Sequence, residues 1–276
     1  MHPISQSLMS ARVGVVGAGR LGTALSAALR EAGLAVNGPA GRGEVPRGCD
    51  AIVLCVPDSE IRAAAAVVAG AAPLTGHTSG ATGLSALEAA GGAAFGLHPL
   101  QTFAAQDDAE RSPALDAFAG AGCAVAGTSP EALAFAGALA RALGMTVFEI
   151  DDGGRAAYHA AASVASNFMV TLEAAAERIA AGAGLEPHEA RALLVPLLRR
   201  TVENVAELGP ERALTGPVAR GDRATVEAQR RAVEQVAPEL LDLFDQLIRR
   251  TRALAGRAAS PRLGRMPADR PYEVSA

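Results

Sequence analysis

Short apolar runs alternate with helix-like segments over the first 150 residues of the chain. Residues 12–16 and 51–56 form the two clearest runs, and the second is apolar throughout. Such a run is typical of a central parallel strand that helices cover on both faces. The alternation of strands and helices therefore predicts an open α/β sheet.

The pattern changes after residue 150, because helix-like segments then follow one another without strands. Residues 155–181 contain no proline and predict one helix of about 40 Å at 1.5 Å per residue. Further helices are expected at 187–208, from near 225, and at 238–254. The segment 257–276 is polar and rich in proline and arginine, which favours a mobile tail.

Gly17, Gly19 and Gly22 lie between the first strand and the first helix, in the spacing of a dinucleotide-binding loop. Gly17 permits the tight turn, Gly19 lets the backbone approach a pyrophosphate, and Gly22 lets the helix lie close to the sheet. The free N–H groups at the start of the helix would face the phosphates. The alternative is an ordinary glycine-rich turn without a ligand.

The dinucleotide interpretation makes the rest of the loop, Ala18, Arg20 and Leu21, candidate cofactor contacts. It also defines the expected fold, which is α/β with a doubly wound, mainly parallel Rossmann-like sheet followed by an all-α C-terminal domain. The expected boundaries are 11–152 for the nucleotide-binding domain and 153–256 for the helical domain.

The cofactor type is indicated by the residues after the second strand. An NAD site places an acidic residue about 20 positions beyond the glycines, but this chain has Gly38, Pro39 and Ala40 there. The nearest charge is Arg42, and an arginine suits the 2′-phosphate of NADP. The alternative is that Arg42 is a solvated loop residue.

Composition excludes several classes of function. The formal charge is −4, which argues against a nucleic-acid-binding surface. All 25 basic residues are arginine, so no lysine is available for catalysis. The histidines and the three cysteines lack metal-ligand spacing, and no metal is expected. No signal peptide or membrane span is expected either, so a cytoplasmic protein with reduced thiols is predicted.

Two further strand ends carry candidate site residues. Val56 and Pro57 end a central strand and are expected near the ribose on the nicotinamide side of the cofactor. Ser79 ends the next strand and would bind the cofactor or a substrate carboxylate. His98, which Pro99 follows, is either catalytic or a structural hydrogen-bonding residue.

The long helix predicted at 155–181 carries a polar stripe. Its members recur every four residues, and they are Arg155, His159, Ser163 and Asn167. At 3.6 residues per turn they would share one face, with Tyr158 beside them. A solvated helix face is the alternative. Later in the chain, Arg220 lies in a loop and could bind a carboxylate through its planar guanidinium group.

These features together resemble a family. The motifs are Gly17-x-Gly19-x-x-Gly22, residues 54–57, Ser79-Gly80, residues 98–101, Tyr158-His159-x-Ala161-Ala162, Ser166-Asn167 and residues 214–222. They look like those of Rossmann-like bacterial oxidoreductases whose helical C-terminal half is a domain of unknown function. That family is similar in architecture to 6-phosphogluconate dehydrogenases, pyrroline-carboxylate reductases and ketopantoate reductases.

The resemblance implies NADP binding, a helical domain that forms a homodimer, and an active site between the domains. It also implies an NADPH-dependent oxidoreductase acting on a small 2-oxo acid such as 2-dehydropantoate (ketopantoate), with Gln101, Tyr158 and Arg220 near the substrate.

One departure from the family concerns the proton donor, since ordinary ketopantoate reductases use a lysine and this chain has none. His159 is our candidate general acid, because an unperturbed histidine pKa near 6.5 suits that role. Asn167 or Ser163 would position the carbonyl group. A water molecule held by Tyr158 and His98 is an alternative proton source.

Two other functions remain open. An imine reductase of the pyrroline-carboxylate type needs no strong acid if its substrate arrives protonated. A non-catalytic NADP-binding sensor or scaffold would need none either. For each of them no nucleic-acid or membrane partner is expected.

Overall fold

The computed structural model describes residue 8, residues 10–103 and residues 114–259. Within this part of the chain, residues divide into two compact units, 1–167 and 168–276. The division falls between Asn167 and Phe168, whereas the sequence placed it between 152 and 153. Helix Arg155–Ala165 therefore belongs to the first unit, since its side chains contact that unit's sheet.

A seven-stranded sheet forms the centre of the first unit. Its strand order is β2-β1-β3-β4-β5-β6-β7. The strands are β1 (Arg12–Val16), β2 (Ala35–Ala40), β3 (Ala51–Leu54), β4 (Leu74–His77), β5 (Ala93–Leu100), β6 (Gly122–Gly127) and β7 (Thr146–Glu149). All neighbouring pairs are parallel except β5 and β6. The predicted doubly wound, mainly parallel sheet is confirmed.

Helices cover both faces of this sheet. Those of the first unit are α1 (Arg20–Glu31), α2 (Ile61–Val67), α3 (Pro130–Ala142) and α4 (Arg155–Ala165), with a 3₁₀ helix at Leu84–Ala90. Side chains of β3 alternate between the two faces, as a strand requires. Val53 joins the core cluster beneath α1 and α3, while Ile52 and Leu54 join the cluster beneath α2. Each of these three side chains is fully buried, which explains the continuous apolar run.

The second unit is helical. Its helices are α5 (Asn167–Ala180), α6 (Pro187–Leu208), α7 (Pro210–Ala213), α8 (Pro217–Arg220), α9 (Arg223–Val236) and α10 (Leu241–Ala259). Although α5 begins at Asn167, that residue is grouped with the first unit. The bounds predicted for α6 are confirmed. Asp222 caps α9 by accepting a hydrogen bond from the Thr225 amide at 3.1 Å.

Two expectations for this region need correction. The predicted helix over 155–181 is wrong, because Ser166 leaves helical geometry at φ −123° and ψ −73° between α4 and α5. Asn167 therefore does not share a helix with Arg155 and His159. The predicted start of the tail at residue 257 is also too early, because α10 continues to Ala259. Residues 260–276 lie outside the described part of the chain.

None of the helices in the described ranges is long and apolar enough to cross a membrane.

Candidate active site at the carboxyl edge of the sheet

Four parallel strands, β1, β3, β4 and β5, end at the same edge of the sheet. Open α/β sheets bind ligands in the crevice outside their carboxyl edge, where the strand order reverses. Here the order reverses at β1, which has β2 on one side and β3 on the other. The segments that follow these strands therefore form the candidate site.

The glycine-rich loop leaves β1 as the sequence predicted. Gly17 has φ +109°, and a side chain there would collide with the Cys55 carbonyl. A side chain at Gly22 would collide with the Gly17 carbonyl. These two glycines are therefore required by the packing of the loop between β3 and α1.

Gly19 differs from its two neighbours, since a Cβ added there would meet nothing within 4 Å. It caps α1 without any side-chain hydrogen bond, and the first turn of α1 contains no acidic residue. Helix N-terminal N–H groups that lack internal partners bind phosphates readily. Protein packing does not require a glycine here, whereas close approach of a ligand does.

The neighbours of Gly19 differ in exposure. Ala18 and Arg20 are exposed beside it, so both can contact a bound cofactor. The Leu21 side chain instead packs against the core. The predicted cofactor contact of Leu21 would therefore be made by its backbone.

Arg42 follows β2 and lies close to Glu60, in the 3₁₀ turn that precedes α2. Its side chain is 87% exposed, and one guanidinium nitrogen is 3.5 Å from a carboxylate oxygen of Glu60. Residues 38–41, at the end of β2, carry no acidic side chain, and the Glu44 carboxylate beyond Arg42 accepts a 2.7 Å hydrogen bond from the Gly41 amide. The arginine is therefore free to turn toward an added anion, since an exposed pair of this kind is weak.

The end of β3 is joined to the end of β4 by a side-chain hydrogen bond. Asp58 follows Val56 and Pro57, and its Oδ2 accepts a hydrogen bond from Ser79 Oγ at 2.8 Å. Ser79 Oγ also accepts hydrogen bonds from the amides of Ala81 at 3.2 Å and Thr82 at 2.9 Å. The Ser79 hydroxyl thus organises this loop, and its predicted role as a ligand contact stays a prediction.

His77 is the last residue of β4 and is fully buried. Its Nδ1 accepts a hydrogen bond from the Ser79 amide at 3.2 Å. Burial, and then the charge of Arg155, lowers the pKa of His77 to about 4. This imidazole is therefore neutral at pH 7 and supports the loop that carries Ser79.

His98 on β5 and Tyr158 on α4 form a hydrogen-bonded pair. The Tyr158 hydroxyl lies 2.7 Å from His98 Nδ1. Burial, and then His159 beside it, lowers the pKa of His98 to about 4. Burial raises the pKa of Tyr158 to about 12. At pH 7 the pair is uncharged, so the hydroxyl can donate to Nδ1.

His159 completes this cluster. Its ring centroid is 6.1 Å from that of His98. The two rings enclose Gly80, where an added Cβ would lie 2.8 Å from His98 Nε2 and 2.9 Å from His159 Cδ2. The structure thus brings together three residues that the sequence nominated from distant segments, together with a glycine that the packing of both rings requires.

Arg155 is a buried cation next to these histidines. Its side chain is 3% exposed, and its Nε donates a 2.6 Å hydrogen bond to Asp152 Oδ1. Its second guanidinium nitrogen, Nη2, has no hydrogen-bond partner in the described structure. A Cβ added at Gly96 on β5 would lie 3.3 Å from Nη2. The place of Arg155 in the polar stripe could suggest a solvated side chain. The structure instead buries it.

The remaining predicted site residues differ in exposure and in local contacts. Ser163 is half-buried, Asn167 is exposed, and Gln101 is exposed with Oε1 accepting from the Thr102 amide at 2.8 Å. Arg220 ends α8 in the second unit and is exposed. Their proposed roles stay predictions.

Sequence reasoning missed Asp58, the place of Gly80 between two rings and the burial of Arg155. Asp58 follows Pro57 at the end of a central strand, a position that could have nominated it. Nothing in the sequence pattern shows that Gly80 lies between two imidazole rings, because that contact joins β4, β5 and α4.

A cavity of about 950 Å³ opens elsewhere on the first unit, beside the amino end of β5 and the carboxyl ends of β6 and β7. Its lining includes Glu88, Glu149, Asp151 and Asp152 but no histidine or tyrosine. Asp152, the hydrogen-bond partner of Arg155, is the residue that joins this cavity to the candidate site. Nowhere in the described ranges do three or more His, Cys, Asp or Glu side chains come together to hold a metal ion.

Comparisons with known proteins support the fold. A family profile described as a domain of unknown function (DUF2520) matches residues 121–251, just under half of the chain. No curated protein sequence matches the chain.

Several solved structures share the fold. A provisionally assigned NADP oxidoreductase from Bacteroides fragilis is 23% identical, with a TM-score of 0.74 over 89% of this chain and 99% of that chain. Pyrroline carboxylate reductase from Plasmodium falciparum, solved with NADP bound, is 12% identical, with a TM-score of 0.58 over 90% of this chain and 99% of that chain. A reductive aminase from Aspergillus terreus, in complex with NADPH4, cyclohexanone and allyl amine, is 15% identical. Its TM-score is 0.54 over 89% of this chain and 97% of that chain.

These neighbours are NADP-binding Rossmann-like oxidoreductases, which confirms the Rossmann-like fold of this chain. A specific likeness to 6-phosphogluconate dehydrogenase or ketopantoate reductase is not shown.

Proposed function

We propose that this protein is an NADPH-dependent reductase that acts on a small protonated imine. The observation that carries the proposal is the arrangement of one sheet edge. The glycine-rich loop at this edge has free space around Gly19. Three strands away lies the uncharged pair of His98 and Tyr158. The first feature suits a dinucleotide phosphate, and the second lies where the reacting end of an extended dinucleotide is expected.

NADP is the preferred cofactor under this proposal. The end of β2, residues 38–40, lacks the acidic residue that binds a ribose 2′-hydroxyl, and Arg42 follows it. Thermal-shift measurements with NADPH and NADH test this directly. We expect Arg42→Leu to lower NADPH affinity by about tenfold, the scale of one charge-assisted contact. Glu60→Gln, which removes only the partner of Arg42, is the matched control and is expected to leave NADPH binding intact.

The protonation states of His98 and Tyr158 favour one substrate class. A group that gives a proton to a nascent alkoxide works best with a pKa near the working pH. The pKa of His98 is about 4 and that of Tyr158 is about 12, and the chain has no lysine. A protonated imine needs no such donor.

The reaction is balanced without an enzymic acid. NADPH, when bound, would supply a hydride for a C–H bond at the imine carbon, with the π electrons of the C=N bond becoming a lone pair on nitrogen. The cationic iminium becomes a neutral amine. The chain's own part is to bind, to orient and to exclude water, with His98, Tyr158 and His159 forming one wall beside Gly80.

The names of two structural neighbours agree with this choice. One is a pyrroline carboxylate reductase and the other is a reductive aminase. Both names denote enzymes whose chemistry involves a carbon–nitrogen bond, which favours the imine over the 2-oxo acid as the first candidate.

Reduction of a 2-oxo acid, including 2-dehydropantoate, is the second candidate function. It is favoured by the presence of His159 next to His98, because His159 would protonate the alkoxide there. Asn167 or Ser163 would then position the carbonyl, and Arg220 or Ser79 the carboxylate. If His159→Gln abolishes turnover of an oxo acid while NADPH still binds, this candidate gains support. Binding of NADPH with no turnover of either substrate class would favour a sensor or scaffold.

A homodimer through the helical unit is part of the proposal. Large apolar side chains on α5 and α6 are exposed, among them Phe168 at 55%, Val170 at 71%, Leu193 at 64% and Leu197 at 63%. Exposed apolar surface of this extent favours a protein interface, and sedimentation velocity tests it. Cytoplasmic location stays a prediction.

A further inference from the structure

Asp58 is a carboxylate without a cationic partner at the edge where the reaction is proposed. It is an exposed residue directly after Pro57. The contact that fixes it is the 2.8 Å hydrogen bond that Oδ2 accepts from Ser79. Across the described residues, no arginine or histidine nitrogen lies within ion-pair distance of it.

Asp58 lies near two imidazoles that are neutral at pH 7. The pKa of His77 and that of His98 are both lowered to about 4, and Asp58 opposes each shift, which places its charge close to both rings. Tyr158 stays protonated, with a pKa of about 12. The buried cation of Arg155 acts on the same two rings.

Two arginines of the first unit have other carboxylate partners. Arg155 is buried and bonded to Asp152 at 2.6 Å. Arg42 pairs with Glu60 at 3.5 Å. Neither forms an ion pair with Asp58 in the described structure.

The orientation of Asp58 is fixed by its surroundings. Ser79 Oγ is itself held by the amides of Ala81 and Thr82, so the hydroxyl that binds Oδ2 has a defined position. Fixed charges stabilise a ligand more effectively than mobile ones, because they do not have to reorganise when it binds.

We propose that Asp58 is the counter-ion for the positively charged nitrogen of the substrate, and that the site takes small cyclic or open iminium cations. This inference rests on the proposed function and adds the residue that selects for charge. A carboxylate here would repel a 2-oxo acid bound near the same point. During hydride transfer the positive charge moves from the substrate to the nicotinamide, so Asp58 acts on both states and should affect binding more than the rate of the chemical step.

The test measures binding of a permanently charged, unreactive cation, N,N-dimethylpyrrolidinium, to the NADPH-loaded full-length protein by calorimetry. Asp58→Asn removes the charge, while its amide oxygen can still accept the Ser79 hydroxyl. We expect the Kd of the cation to rise by about tenfold or more. An ion pair left in water would account for no more than about fivefold, so a tenfold loss identifies a carboxylate that the ligand desolvates.

Glu60→Gln is the matched control, because it removes a carboxylate two residues away that already has a partner. We expect its Kd for the cation to stay within about twofold of wild type, and binding of neutral cyclopentanone to be the same in all three proteins. The inference is overturned if wild type does not bind the cation, if Asp58→Asn binds it as tightly as wild type, or if Asp58→Asn changes only NADP⁺ affinity.

Turnover distinguishes this inference from the proposed function. The companion assay follows NADPH oxidation with N-methyl-1-pyrrolinium. Charge-selective binding without turnover would support Asp58 and contradict the reductase. Turnover with an unchanged KM in Asp58→Asn would support the reductase and contradict the role of Asp58.

Discussion

The hydroxyl of Tyr158 on α4 lies 2.7 Å from Nδ1 of His98 on β5. This contact joins residues 60 positions apart, and the two rings also pack edge to face with centroids 5.4 Å apart. The hydrogen bond brings the first turn of α4 to the end of β5, where His159 then lies beside His98 and Gly80.

His159→Gln, beside this pair, tests whether the reaction needs a proton donor. Under the proposed function no proton is needed for a permanently charged iminium, whereas reduction of a 2-oxo acid needs one. A lost general acid costs about 10²-fold or more. We therefore expect kcat to fall at least about tenfold more for an oxo acid than for N-methyl-1-pyrrolinium. Equal losses for the two substrates would contradict the account.

Arg155→Met tests the effect of the buried cation on the histidines. Arg155 lowers the pKa of both His77 and His98, so removing its charge should raise both pKa values toward the ordinary 6.5 of histidine. Proton NMR titration of the imidazole Cε1–H signals measures this. Asp152 is 60% exposed and would be left solvated. Exposed Arg199→Met is the control, and similar titrations in both variants would refute the prediction.

The same pKa values predict how stability depends on pH. A histidine whose folded pKa lies below its unfolded value binds more protons when unfolded. His77 and His98, each with a folded pKa of about 4, therefore contribute stability above pH 6.5 that is lost between pH 6.5 and 4. We expect the free energy of unfolding in urea to fall between pH 7.5 and 5 by roughly 2 kcal/mol for each histidine.

Two variants check the source of that pH dependence. His98→Asn should flatten the fall, because one of the two titrating groups is gone. His188→Gln, which replaces an exposed histidine on α6, should leave it unchanged. If His98→Asn has the same slope as wild type, burial of His98 does not govern acid stability.

The architecture could be predicted from local pattern because each signal is short-range. The apolar run of β3, the strand–glycine–helix order at Gly17 and the proline at the start of α6 each lie within a few consecutive residues. The sequence could also nominate His98, Tyr158 and His159, since each occurs at a strand end or on a polar helix face.

The pairing of those residues could not be predicted. It depends on how α4 packs against the sheet, and contacts between β5, β7 and α4 determine that packing. One of them joins Phe148 and Tyr158, whose ring centroids are 5.7 Å apart. The same cause explains the error on Arg155. A stripe of polar residues along a helix does not show that its first member is buried against Gly96, nor that the helix ends at Ala165.

Gly19→Ala tests the phosphate-binding loop. An added methyl group would meet nothing in the protein within 4 Å, so the thermal stability of the cofactor-free protein should not change. A bound pyrophosphate would meet it, and we expect NADPH affinity to fall by about tenfold or more. Gly256→Ala, inside α10 of the second unit, is the control and should leave NADPH affinity unchanged, although alanine in a helix interior can raise thermal stability. Unaltered NADPH binding in Gly19→Ala would contradict the assignment of the loop.

The most direct test of the central claim is the rate of NADPH oxidation by the wild-type protein, followed at the nicotinamide absorbance band, with small cyclic imines and 2-oxo acids compared at neutral pH. The account predicts a kcat/KM at least about tenfold higher for the protonated imine than for any oxo acid, including 2-dehydropantoate. Binding of NADPH without oxidation on either substrate class, or faster oxidation with the oxo acid, would contradict it.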